Sequence, residues 1–515
     1  MIPPDRVRTG PIRLHGLGRV VATLVCVAGV PLVVIALVRW LFGVPISSFR
    51  PVLNDEVAYW HQALTFSRVG FRGGYYTLGE LTNPSGFTPF GPHGPGIAVA
   101  YGLFGMVLGW HRHSVVVLNL VAIATAAWAW VTLSGVSTAR IVLSALLLAT
   151  FWPLVFWAPT GMQEGLHSAG AVMMAAFFAH ALGPVIRRWA IAAGWLVLVA
   201  LSFIRPSWVV LIPLWSFVTI GPRDLRQRLA TLAGSALLAM AIVFAYSRSA
   251  APFPTGFFFL KVFDLSSSVT TIAVNLVANV KHTIATSEYA PLEVLHRVQY
   301  WGLLGLAVVM AAVDARRTRP QPATSSGVAH LTVGALAMAG ALLLMLSLYT
   351  LTNWAEHRVL SPFLLFAALL AIASAPRLAL VVPAALIVSN VAAISVFIRS
   401  FDASRHDNFV WDRRGVYALS EAIEGKIAYH AGEPRWCNTL LTSQYPPYLI
   451  AIPAGVGLSV VREPDLLALP PKSRYLLLDP PSRDALKRPI RMQELATLPY
   501  GTLYRNLESA CPPSP

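Results

Sequence analysis

Charge is scarce in this chain. Asp, Glu, Lys and Arg make up 12% of its 515 residues, against 56% hydrophobic residues and a mean hydropathy of +0.62. A water-soluble domain carries about 25% charged residues, so an ordinary soluble protein is excluded. Acids are the rarer sign, 23 against 39 Lys plus Arg, for a formal net charge of +16. Such an excess can mark a nucleic-acid partner, yet no basic stripe with interleaved aromatics accompanies it, and nucleic acid is set aside. Cysteine is nearly absent: three residues are too few for a disulfide scaffold. Cys26 lies in the first apolar stretch. Cys437 and Cys511 lie in the C-terminal part, where a bridge could form if that part is extracytoplasmic. Also lacking is a clear internal repeat of the kind that transporters usually carry.

What the chain has instead is apolar length. Runs of roughly 16 to 22 residues recur, enough to cross a hydrocarbon core of about 30 Å. The run from Val20 to Val38, preceded by Arg6, Arg8, Arg13 and Arg19, reads as a signal-anchor helix with a cytoplasmic N-terminus. Ten more spans are read at 115–133, 141–158, 162–182, 189–204, 207–220, 229–247, 300–313, 328–350, 359–374 and 378–397, eleven in all. Alternate counting then puts Arg140, Arg187–Arg188, Arg223/Arg226/Arg228, Arg316/Arg317/Arg319 and Arg377 in cytoplasmic loops, as the positive-inside rule requires.

The first extracytoplasmic loop, 41–110, is large and rich in Gly, Pro and aromatics. Its apolar stretch Ile97–Leu108 is short and fits an interfacial helix better than a full span. The same count places 159–164, 205–206, 248–299 and 351–358 on the outer face. The tail from 399 to 515 joins them, with many charges, much Pro and strand-like stretches at Thr439–Thr442 and Tyr475–Asp479. The expected fold is therefore an all-α polytopic membrane bundle over 1–398, with a small C-terminal α/β soluble domain over 399–515.

Few ionisable residues stand at the outer ends of these helices, and they are of both signs. Asp55 and Glu56 follow the first helix. Glu164 closes Thr160-Gly161-Met162-Gln163-Glu164, Arg205 precedes Pro206, and Glu356-His357-Arg358 precede a late helix. Charges so close to hydrocarbon are costly and mark functional sites by default. If the helices form one bundle, these groups converge on an outward cavity, where an acid could activate a hydroxyl and Arg or His could hold a phosphate.

In order and spacing these fragments resemble the GT-C superfamily of glycosyltransferases, membrane enzymes that use polyprenyl-phosphate-linked sugars. The resemblance runs from about residue 20 to 400. It rests on the early acidic pair Asp55-Glu56, the T-G-M-x-E segment at 160–164, the Arg205-Pro206 dipeptide and an E-x-R-x-x-x-P segment at 356–362. Ser207-Trp208 after the R-P, and His357 between Glu356 and Arg358, depart from the family pattern.

The resemblance implies a bacterial inner-membrane enzyme with its C-terminal domain in the periplasm. Its donor would be a polyprenyl-phosphate sugar, its acceptor a glycan, lipid or protein, its surroundings membrane lipids, and its transfer inverting. Independently of the family, glycosyl transfer passes through an oxocarbenium-like state and needs a base for the attacking hydroxyl. Asp55 is the candidate base, with Glu56 positioning the acceptor or binding a divalent ion; no cofactor is otherwise implied. Arg205, His357 and Arg358 are candidate ligands of the lipid phosphate. Glu164, Glu356, His93 and Lys261 complete the candidate substrate-binding set.

Plainer readings stand beside these. Asp55-Glu56 could cap a helix over Val57–Phe66, Glu164 could pair with an Arg across the bundle, and Arg205, Arg358 and Lys261 could be snorkelling anchors. His93, in a Gly/Pro-rich turn, could be structural. A transporter or flippase, or a non-catalytic envelope-assembly protein, is the alternative at the level of function.

Overall fold

The computed structural model describes residues 12–49, 51, 54–73, 77–78, 90–91, 93–184, 186–221, 224–250, 265–284, 295, 298–302, 305, 308–309, 326–348, 358–374, 377–400, 421–442, 450–460, 471–484, 486, 489–498 and 501–512. Helices dominate the chain up to residue 400. They are α1 (Ile12–Phe42), α2 (Asn54–Val69), α3 (Pro95–Leu108), α4 (Ser114–Leu133), α5 (Thr138–Thr150), α6 (Trp152–Trp157) and α7 (Glu164–Ala181). There follow α8 (Arg188–Ile204), α9 (Leu211–Ile220), α10 (Leu225–Ser249), α11 (Leu265–Ile284), α12 (Ser326–Leu348), α13 (Ser361–Ala373) and α14 (Val381–Ser400).

Five of these, α1, α4, α10, α12 and most of α14, are long and apolar enough to cross a membrane, and shorter apolar helices fill the bundle between them. The chain is a multi-pass membrane protein. In α1 the buried positions Ala22, Cys26, Val30, Val34 and Val38 recur every fourth residue, while Leu17, Val21, Leu24, Val25 and Leu32 stand exposed. A helix apolar on its outer face as well as its packed one suits lipid rather than water. By contrast α7 and α13 are buried along almost their whole length and form the centre of the bundle.

Two expectations need adjusting. The span read at 141–158 is two helices, broken at Phe151, because Pro153 lacks the backbone donor that a continuous helix would need there and fits instead in the first turn of a new one. The outer segment 248–299 contains a helix, α11, whose Asn275 and Asn279 donate to carbonyls of Ser347 and Leu346 in α12. Most of the span read at 300–313 lies outside the described residues.

The C-terminal part carries the sheet. Its strands are β2 (Thr439–Thr442), β3 (Gly457–Val460), β4 (Tyr475–Leu478), β5 (Met492–Leu498) and β6 (Gly501–Asn506), so both strand-like stretches are strands. The sixth strand, β1 (Thr77–Leu78), comes from the first long loop and pairs in parallel with β3, giving the order β1-β3-β2-β4-β6-β5. Side chains alternate across a strand: Leu440, Leu458, Tyr475, Leu477 and Leu503 join the main core, while Leu441, Leu476, Leu478 and Tyr504 form a second cluster behind. Cys437 and Cys511 are joined by a disulfide.

This part also clasps α2. Gly455 N–H donates to Thr65 Oγ1 at 3.2 Å, Tyr429 hydroxyl donates to the Arg72 carbonyl at 3.2 Å, and His61 Nε2 lies 3.4 Å from the Pro453 carbonyl. Gly455 has φ +95°, and a Cβ there would strike the Tyr429 ring, so the close approach requires glycine.

Candidate active site

The helix ends explain where each ionisable group sits. Asp55 and Glu56 occupy the first turn of α2, where acids are favoured by the helix dipole. Consecutive helical residues point about 100° apart, so the two carboxylates face different surroundings. Glu56 is turned inward, 2% exposed, and its Oε1 accepts the Gly161 N–H at 2.7 Å. Asp55 keeps a side chain 39% exposed.

The turn that Glu56 holds is pinned from a second side. Asn119 of α4 donates through Nδ2 to the carbonyls of Ala158 and Thr160, at 3.0 and 2.9 Å, and accepts the Tyr101 hydroxyl at 2.6 Å. A Cβ on Gly161 would lie 3.0 Å from Glu56 Cγ, and one on Gly165 2.9 Å from Asn119 Nδ2. The glycines let these polar groups approach the backbone of the turn. With the turn fixed, α7 starts at Glu164.

Arg205 owes its place to Pro206. The residue before a proline avoids helical backbone, and Arg205 is extended (φ −146°, ψ 121°), ending α8 and sending its side chain across the bundle. Arg358 opens the short 3-10 turn ahead of α13, its guanidinium 5.8 Å over the Trp157 ring.

At one end of the bundle these groups meet. Arg205 Nη2 donates to Glu164 Oε1 at 2.8 Å, Arg358 Nε lies 3.3 Å from the same oxygen, and Arg358 Nη2 lies 3.7 Å from Asp55 Oδ2. Glu164 is wholly buried, whereas Arg358 is 30% exposed. The cluster thus grades from a sealed ion pair to an open acid. His93 packs edge-on to the Tyr59 ring, centroids 4.9 Å apart, beside these charges. The loop reaches there because Gly96 lies directly on the backbone of Phe203 and Ile204, next to Arg205.

The far end of the bundle differs. There Arg19 Nη1 donates to the Val136 carbonyl and Arg140 Nη1 to the Ala373 carbonyl, at 3.1 and 3.3 Å. These arginines serve helix ends.

Sequence reasoning missed a polar network beneath the cluster. It runs through Tyr59, Gln163, His167 and Trp208, with contacts of 2.9, 3.3 and 2.8 Å. Only the i, i+3 spacing of Glu164 and His167 on one helix could have hinted at it. Lys261, Glu356 and His357 lie outside the described residues. Among the described residues no group of three His, Cys, Asp or Glu could hold a metal ion.

Fold and cluster together define a multi-pass membrane protein with an acid–arginine site, partly open, at one end of its bundle. No protein-family model and no curated protein matches the chain. Solved structures do resemble it in overall shape. One is the apo oligosaccharyltransferase of Archaeoglobus fulgidus, 13% identical, TM-score 0.44, matched over 87% of this chain and 64% of its own, so this chain spans under two thirds of that enzyme. Another is ArnT from Cupriavidus metallidurans bound to undecaprenyl phosphate, 13% identical, TM-score 0.41, covering 99% of this chain and 100% of ArnT. Apo ArnT gives 14% identity, a TM-score of 0.40 and coverage of 97% and 100%. At such identities the likeness is one of general fold and transfers no residue role.

Proposed function

We propose that this protein is an inverting glycosyltransferase that moves a sugar from a polyprenyl phosphate to an acceptor hydroxyl on the extracytoplasmic face of a bacterial inner membrane. One observation carries the reading: Asp55, an exposed carboxylate, stands 3.7 Å from Arg358 in a cluster whose other acid, Glu164, is sealed against Arg205. A base must reach solvent-borne acceptor, and a phosphate site needs fixed cations; the cluster offers both side by side.

In this mechanism Asp55 takes the proton from the acceptor hydroxyl as its oxygen attacks the anomeric carbon. The bond from that carbon to the phosphate oxygen breaks, and its electron pair leaves with the lipid phosphate. Arg205 and Arg358 stabilise the developing negative charge. Glu164 acts by holding both guanidiniums in place, and Glu56 by fixing the turn that carries Glu164. His93 forms a wall of the donor site. Lys261, Glu356 and His357 are proposed as further substrate contacts from their place in the sequence, and the domain over 399–515 as periplasmic.

The test uses membranes containing the full chain and a radiolabelled polyprenyl-phosphate sugar. Transfer is expected in the parent and lost, by roughly a hundredfold or more, in Asp55→Asn. Undiminished transfer in that variant would remove the base assignment. Absence of transfer with every lipid-linked donor, alongside flux of a solute, would replace the enzyme by a transporter.

A further inference from the structure

The buried network below the cluster has a direction. Trp208 Nε1–H donates to His167 Nδ1 at 2.8 Å, and an indole nitrogen can only donate. His167 therefore carries its single proton on Nε2, which faces Gln163 Oε1 at 3.3 Å. With its oxygen committed, Gln163 donates through Nε2 to the Tyr59 hydroxyl oxygen at 2.9 Å. Each member fixes the next, and the Tyr59 hydroxyl is left with a proton that no described residue accepts.

That hydroxyl lies among charges. Burial first, then the carboxylates of Asp55 and Glu164, hold the Tyr59 phenol well above its ordinary value, and both Arg358 and Arg205 oppose them from within range. It therefore remains a donor at neutral pH. Two further atoms of the cluster are buried without a hydrogen-bond partner, Arg205 Nη1 and Glu164 Oε2. Buried polar atoms are rarely left unpaired; Glu164 Oε2 can only accept, but Arg205 Nη1 and the Tyr59 hydroxyl are two idle donors that mark a position for an acceptor from outside.

We propose that Tyr59 is a further substrate-binding residue, whose hydroxyl donates together with Arg205 Nη1 to an anionic phosphate oxygen of the lipid carrier. Gln163, His167 and Trp208 are positioning residues that turn the hydroxyl outward. This rests on the reading above that the cluster receives a lipid phosphate.

Binding of tritiated undecaprenyl phosphate to the full chain in detergent tests it, with undecaprenol, which lacks the phosphate, as reference. Tyr59→Phe is expected to weaken undecaprenyl phosphate binding about tenfold or more, the scale of a hydrogen bond to a charged group, with undecaprenol binding unchanged. Gln163→Glu offers only acceptor oxygens and turns the Tyr59 proton inward. It is expected to weaken binding similarly in the parent and to add nothing in the Tyr59→Phe background. Should Gln163→Glu fail to fold, Trp208→Phe, which frees the His167 tautomer, takes its place with a smaller loss that again vanishes without the Tyr59 hydroxyl.

Equal binding by the parent and Tyr59→Phe would overturn the inference and leave the functional reading intact. Additive losses would overturn the positioning roles. A parent that binds undecaprenyl phosphate no better than undecaprenol would overturn the phosphate reading and the inference with it.

Discussion

Removing one partner of the sealed ion pair should cost far more than removing the open arginine. Glu164 is wholly buried, with Arg205 at 2.8 Å and Arg358 at 3.3 Å on the same oxygen. At an effective dielectric of about 20, unit charges at those separations attract by about 6 and about 5 kcal/mol. Desolvation offsets much of this in the intact protein, so the pair itself adds little net stability. Breaking it is a different matter. Arg205→Met leaves a buried carboxylate with one remaining cation, and the expected loss is about 3–5 kcal/mol. Arg358→Met removes a cation that is 30% exposed and shared with Asp55 at 3.7 Å, and solvent screening limits the loss to about 1 kcal/mol. Arg205→Met combined with Glu164→Leu replaces the pair by apolar groups and should recover most of the stability, though not transfer. Unfolding free energies in mixed micelles would measure all four proteins. The reasoning fails if Arg358→Met is the more damaging single change, or if the double variant is no more stable than Arg205→Met alone.

Other outcomes follow from the same contacts. Gly161→Ala puts a Cβ 3.0 Å from Glu56 Cγ, so it should destabilise by about 1–3 kcal/mol and slow transfer by shifting Glu164; parent-like stability and rate would show that Glu56 yields freely. Cys437→Ser opens a disulfide spanning 74 residues of sequence, with an expected loss of about 4 kcal/mol from the C-terminal domain, read as faster proteolysis there than in the bundle. Burial lowers His61 to about 4 from an ordinary 6.5. The unfolded chain then binds more protons between those values. The stability of the clasp on α2 is full above pH 6.5 and falls toward pH 4 by up to about 3 kcal/mol. His61→Gln should flatten that part of the pH profile of unfolding, and an unchanged profile would mean that the clasp does not sense His61.

Much of this was legible in the sequence because membrane length and sign rules act locally. A run such as Val20–Val38 needs no partner to declare itself, and the extended Arg205 follows from the proline after it. The acids at the start of α2 show why the rest was not. Adjacent helical side chains diverge, and which one faces the site depends on how the helix is rotated by its neighbours. Gly161 approaches Glu56 from 105 residues away, and Pro453 meets His61 across 392.

The sequence by itself determined the class of molecule, the places of most helices, the two central strands of the C-terminal sheet and, at helix ends, the charged residues Asp55, Glu56, Glu164, Arg205 and Arg358. Local chemistry suffices for these: apolar length, proline backbone limits and the cost of charge near hydrocarbon. Only the tertiary structure separated Asp55 from Glu56, sealed Glu164 against Arg205, lent a strand of the first loop to the distant sheet and lined up Trp208, His167, Gln163 and Tyr59. Those outcomes depend on contacts between residues tens to hundreds of positions apart, which no local pattern encodes.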